Sequence, residues 1–169
     1  IVENGFLRKY EDAFFNRVLS TVNPESPEAL TYLVDQPASG NMFKVVSFIK
    51  DLGLITDMSE GGIDGITVYF RKNGYAIDQQ RYYEIPDNSA DAAFIRSLET
   101  APAHKWFVRE KPDYAGHRVL TYVFTLPYRS EPAKAKGFLY LDISLAHLSQ
   151  MIGKVINYPG SGFYMFDPD

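Results

Sequence analysis

Three histidines, His104, His117 and His147, are the obvious candidates for proton transfer or metal binding, and their spacing supports neither. None stands three or four residues from another, so no helix face can present two of them to one ion, and no HExxH occurs. Gly160-Ser161-Gly162 lacks the flanks of a nucleophile elbow and reads as a turn. Asp167-Pro168-Asp169 reads the same way. Cysteine is absent, which excludes thiol catalysis, cysteine-ligated zinc, iron–sulfur clusters and disulfides. No glycine-rich phosphate loop and no interpretable acid/base pair remains. The expectation is a domain with no catalytic activity of its own, no cofactor and no metal.

Two features suit a pocket instead. One is His104-Lys105-Trp106-Phe107, with Arg109 close behind. The other is Asp142, an acid inside the apolar run Phe138–Ile143. Alternation puts Phe138, Tyr140 and Asp142 on one face of a strand and Leu139, Leu141 and Ile143 on the other. Two readings of Asp142 stay open at this point. It either caps the following helix or pairs with a lysine, or it accepts a hydrogen bond from a ligand ammonium or hydroxyl.

The elements that position these residues follow from periodicity. Val2, Phe6, Tyr10, Phe14, Val18 and Val22 recur every four residues and predict a helix over 1–23, closed by Pro24 and Pro27. A short second helix is expected from Ser26 to Leu33, and a third apolar stripe runs from Met42 to Met58. The period then changes. Ile63 to Phe70 and Tyr75 to Ile77 flank Asn73-Gly74, a hairpin signal. Residues 79–117 form a long, mostly polar excursion with a short helix at 90–98 and a short strand at Trp106-Phe107-Val108. Loops of this length in compact domains usually build binding surfaces. Val119 to Leu126 and Gly137 to Ile143 are strong strands, and Ser144 can cap a last helix. Adjacent strands joined by short turns predict an α+β domain, with an antiparallel sheet and helices packed on one side.

The 169 residues are 46% hydrophobic and 22% charged, ordinary for one folded domain, and the net charge of −4 argues against nucleic acid as a partner. No apolar run is long enough to cross a membrane. With 12 Phe and 12 Tyr, half the side chains of these two types carry a hydroxyl that is buried only beside a partner. The chain opens with helical periodicity already running and stops at a turn, which predicts a piece of a longer protein.

Taken in order, "GIDGITVYF", "NGYAID", "HKWF", "RVLTYVFTLPY" and "KGFLYLDISLAHLSQMI" resemble the extracytoplasmic Cache domains of bacterial transmembrane receptors. The last, a glycine-led strand ending in Asp-Ile-Ser and entering an apolar helix, is the most specific, and the resemblance spans nearly the whole chain. It implies a PAS-like fold with a long N-terminal helix, five or six antiparallel strands and a small-molecule pocket on one face. It also implies membrane tethering at the extracellular face, with output through a histidine kinase or an AraC-type transcription regulator. In amino-acid-binding members, an arginine two residues before the tryptophan holds the ligand carboxylate and the strand-end aspartate holds the ammonium. Trp106, Phe107 and Asp142 match; His104 stands where the arginine would be, and neutral imidazole offers one donor in place of a bidentate clamp. A sugar, a peptide fragment or another small metabolite fits the aromatic composition as well as an amino acid does.

The leading expectation is therefore an extracellular ligand-binding sensor domain, with a structural or dimerising ectodomain as the alternative and a small enzyme third. The pocket is expected between the sheet and residues 79–117. Trp106, Phe107, Tyr122, Tyr140 and Asp142 would line it, with His104 and Arg109 at the rim. A homodimer through the N-terminal helix is the expected protein partnership. Residues 1–156 are expected to form a membrane-distal module, with a core at about 60–143 and an exit helix at 144–156. Residues 157–169, carrying Phe163-Tyr164-Met165-Phe166, would open a second module.

Overall fold

The computed structural model describes residues 42–57, 62–101, 106–111, 117–126 and 130–155. The expected helices at 1–23 and 26–33, His104, and the tail at 157–169 lie outside the described residues.

Helix α1 spans Met42–Asp57 and buries Val45, Phe48, Leu52 and Ile55, one stripe of its surface. Three strands follow, β1 (Ile63–Phe70), β2 (Tyr75–Asp78) and β3 (Tyr82–Glu84). Asn73-Gly74 makes the first turn as its chemistry predicts. Gly74 takes φ 72°, a left-handed conformation that costs glycine little, and the Asn73 Oδ1 accepts from the Tyr75 N–H at 3.1 Å. Helix α2 (Ala90–Leu98) starts at Ser89, whose backbone is extended and whose Oγ accepts the Ala92 N–H at 3.0 Å. Strands β4 (Trp106–Glu110) and β5 (Arg118–Leu126) come next, then a 3₁₀ turn at Pro132–Lys134. Strand β6 (Gly137–Ser144) and helix α3 (Leu145–Val155) complete the described chain, and the Ser144 Oγ accepts the His147 N–H at 3.3 Å.

The six strands form one antiparallel sheet in the order β3-β2-β1-β6-β5-β4. This is the α+β architecture expected, with one difference. The described helices do not gather on one side. Val45, Phe48, Leu52 and Ile55 of α1 cover one face with Ile66, Val68, Phe124 and Leu139. Ala92, Ile95 and Leu98 of α2 cover the other with Ala76, Val123, Phe138 and Tyr140. The reason lies in the central strands: β5 from Val119 onward and β6 up to Asp142 are buried at every residue. A strand buried on both faces needs a cover on both.

Strand β1 carries a bulge. Ile63 pairs with Ile143 and Gly65 with Asp142, which leaves Asp64 as the extra residue and turns it to the end of the sheet beside Asp142.

Candidate functional site

Register assembles the site. In an antiparallel pair, directly opposed residues share a face. Asp142 on β6 stands opposite Thr121 on β5, and Thr121 stands opposite Phe107 on β4, with Arg109 two residues further along the same face. On the other side of β6, Gly65 opposes Asp142 and Thr67 opposes Tyr140. Helix α2 then lays Asp91 and Phe94, three residues apart on one helical face, over this patch.

Asp142 is 2% exposed, and its carboxylate is held from both sides. The Thr121 hydroxyl donates to Oδ1 at 2.6 Å and the Arg109 Nη2 donates to Oδ2 at 2.7 Å. Arg109 also donates from Nε to the Thr121 Oγ1 and from Nη1 to the Asp91 Oδ1, each at 3.0 Å. Its guanidinium carbon sits 5.0 Å from the Phe94 ring centre and 5.2 Å from that of Tyr140. Those two rings meet edge to face at 5.8 Å. Burial alone disfavours the Arg109 charge, but Asp142, Tyr140 and Asp91 outweigh it and raise the pKa above the ordinary value. Burial also pushes the Tyr140 phenol well above its usual range, with Tyr83 and Asp91 adding to the shift and Arg109 opposing it.

A second ion pair lies beside the first. Lys111 Nζ is 2.6 Å from the Asp64 Oδ2 and 4.0 Å from the Asp142 Oδ2. His117 Nε2 stands 3.7 Å from the same Asp64 oxygen. Across the cleft, the Asp78 Oδ1 accepts the Gln80 and Arg81 N–H groups at 2.7 and 2.8 Å, forming the β2–β3 turn. Arg81 lies over the Tyr83 ring at 4.4 Å, and the Gln79 Oε1 accepts the Ile66 N–H at 3.2 Å.

Together these groups enclose a cleft of about 460 Å³, within the range of small-molecule sites. Its floor is Gly65, Thr67, Tyr140 and Asp142, its inner wall Asp91, Arg109, Lys111 and His117, and its rim the 78–83 turn. Both charge signs are present, with the acids Asp64, Asp78, Asp91 and Asp142 set against Arg81, Arg109 and Lys111. Among the described residues, no group of three or more His, Asp or Glu is placed to hold a metal ion.

Tyr140, Asp142 and Arg109 come together here, and Arg109 sits in the inner wall, bonded to Asp142, instead of at the rim. Phe107 flanks the site through an edge contact with Phe94 at 5.6 Å. Trp106 and Tyr122 are on the opposite face, ring to ring at 4.5 Å, packed into the α1 core. The cause is the same register: Tyr122 opposes Leu141, not Tyr140, and Trp106 opposes Tyr122. Asp142 is paired with cations of the chain itself, closely with Arg109 and distantly with Lys111, while the side chain that caps α3 is that of Ser144. Sequence reasoning passed over Thr121, Asp91, Phe94, Lys111 and Asp64. Asp91 looks like an ordinary acid in a first helical turn, and Thr121 like an ordinary strand residue; only the threonine's alternation against Tyr122 hinted at its face.

No protein-family model matches the sequence, and no curated protein matches it. Solved structures do. The extracellular domain of vpHK1S-Z8, assigned as a histidine kinase, aligns over 96% of this chain and 64% of its own length, at 14% identity and a TM-score of 0.51. The extracellular domain of rpHK1S-Z16, assigned likewise, aligns over 92% of this chain and 66% of its own, at 14% identity and 0.47. The sensory domain of the Campylobacter jejuni chemoreceptor Tlp3 with isoleucine bound aligns over 89% and 66%, at 15% identity and 0.45. The chain thus spans about two thirds of the length of each. At such identities the likeness is one of fold alone: the backbone of this chain resembles that of the vpHK1S-Z8 extracellular domain.

Proposed function

We propose that this chain is the extracellular ligand-binding sensor domain of a membrane-tethered signal-transduction protein, and that its ligand occupies the cleft over Tyr140 and Asp142. The observation that carries this reading is the cleft itself: about 460 Å³, lined by charges of both signs and floored by a buried carboxylate. Burying a carboxylate is costly unless hydrogen bonds and a cation offset it, and Thr121 and Arg109 do so for this one at the floor of the cleft. The fold likeness to an extracellular sensor domain agrees. The ligand is a small polar metabolite, an amino acid or sugar being the nearest classes, because the walls offer many hydrogen-bonding groups and little apolar surface. Catalysis is not part of this reading. Among the described residues no helix is long and apolar enough to cross a membrane, so tethering falls to segments outside them. Output through a histidine kinase or an AraC-type regulator, a membrane-distal module at 1–156 and a second module opening at 157–169 complete the proposal.

The test is a thermal-shift screen of the chain against amino acids, mono- and disaccharides and small organic acids. A ligand that binds only the folded state raises the melting temperature, by about 3–6 °C at ten times its dissociation constant for a domain of this size. A hit should weaken at least tenfold in Lys111→Met, which alters one wall of the cleft. A screen with no hit, or hits indifferent to Lys111, would refute the assignment.

A further inference from the structure

The groups in the cleft that could recognise an organic cation already hold one, and it belongs to the chain. The Arg109 guanidinium is met by three acceptors, Asp91, Asp142 and Thr121, one at each nitrogen, at 2.7 to 3.0 Å. Two rings, Phe94 and Tyr140, lie within cation–π reach. These five residues come from α2, β5 and β6 and none from β4, so the cage is complete without the strand that carries its occupant. Its two innermost members stand on β5 and β6, inside the sheet, and the Thr121 hydroxyl bonds Asp142 directly at 2.6 Å. Arg109 hangs from β4, the edge strand, paired on one side only.

We propose that Asp91, Asp142, Thr121, Phe94 and Tyr140 form a guanidinium-binding subsite, and that Arg109 is its tethered occupant, an internal competitor that a cationic ligand entering the cleft has to displace. The proposal adds a mode of regulation to the ligand site argued above. A tethered group competes at an effective concentration in the millimolar range or higher. A free guanidinium of similar intrinsic affinity therefore loses to Arg109 until its own concentration passes that level. Removing the arginine side chain opens the subsite. The planar fork, with one nitrogen aimed at each acceptor, favours guanidinium over ammonium, whose donors diverge from a single nitrogen.

The experiment uses Arg109→Ala in the whole 169-residue chain, titrated with ethylguanidinium and followed by melting temperature. Ethylguanidinium should stabilise the variant and bind it at least ten times more tightly than it binds the wild type. Ethylammonium should act more weakly. Arg118→Ala, which removes the same charge from an exposed position on β5, should respond as the wild type does. Adding Asp142→Asn to Arg109→Ala should abolish the response. If Arg109→Ala does not fold by itself, the readout becomes its refolding yield, which ethylguanidinium should restore. A variant no more responsive than Arg118→Ala, a yield that ethylguanidinium leaves unchanged, or equal effects of the two cations would overturn the proposal. The outcome is independent of the metabolite screen, because it reads the opened subsite of the variant and not the cleft of the wild type.

Discussion

A buried phenol beside a buried ion pair has a definite pH signature. Tyr140 is 1% exposed, and its folded-state pKa lies well above 10.0, first because of burial and then because of the negative charge around it. The neutral form is the one the fold accepts. Stability from this group is therefore fully present below the unfolded value and is lost as pH rises past it, because the unfolded chain releases a proton that the folded one retains. Tyr140→Phe keeps the ring against Phe94 and Arg109 and removes the proton. In urea unfolding, the variant should lie within about 1 kcal/mol of the wild type near pH 8 and lose stability less steeply above about pH 10. Tyr69 and Tyr82 also have raised values, mainly through burial, so part of the alkaline loss should persist. Identical alkaline slopes in the two proteins would show that Tyr140 contributes nothing to it.

The strand that carries Asp142 depends on close backbone approach at its start. Strand β6 begins at Gly137, opposite Phe70, and a Cβ placed there would overlap the carbonyl oxygen of Tyr69. Gly137→Ala must therefore push β6 away from β1 at the end remote from Asp142. It should cost about 1–3 kcal/mol, seen as a lower urea midpoint with an unchanged slope. A midpoint equal to that of the wild type would mean that the two strands can separate there without loss. The elements themselves were largely legible. Asn73-Gly74, the alternation of β6 and the Ser144 cap are local signals, and each acts where its residues predict. Strand β3 was not legible: three residues after Gln79-Gln80-Arg81, half-buried at most, leave no periodicity to detect. The site was legible in part. An aspartate in an apolar strand marks itself, but its partners depend on which strands become neighbours. The pairing of β1 with β6 joins segments about seventy residues apart, and no local pattern encodes it. The same non-local register sends Trp106 and Tyr122 to the far face, although their residue types suit a pocket.

On the scale of the whole molecule, the sheet is a single partition with a cleft on one side and α1 on the other. The two apolar clusters share β1, β2, β5 and β6, so neither can melt while the other keeps its strands. Far-UV circular dichroism and near-UV tyrosine signals should trace one coincident unfolding transition; separated midpoints would mean that the α2 side opens by itself. The partition has a spectroscopic consequence. Trp106 is the chain's one tryptophan, and it stands on β4 three residues from Arg109 but faces the α1 core. Its indole cannot touch anything bound in the cleft, so direct quenching by a ligand is ruled out by geometry. A change in its emission on binding reports instead an effect carried across the sheet, which makes the protein's own fluorescence a gauge of how far an event on one face is felt on the other.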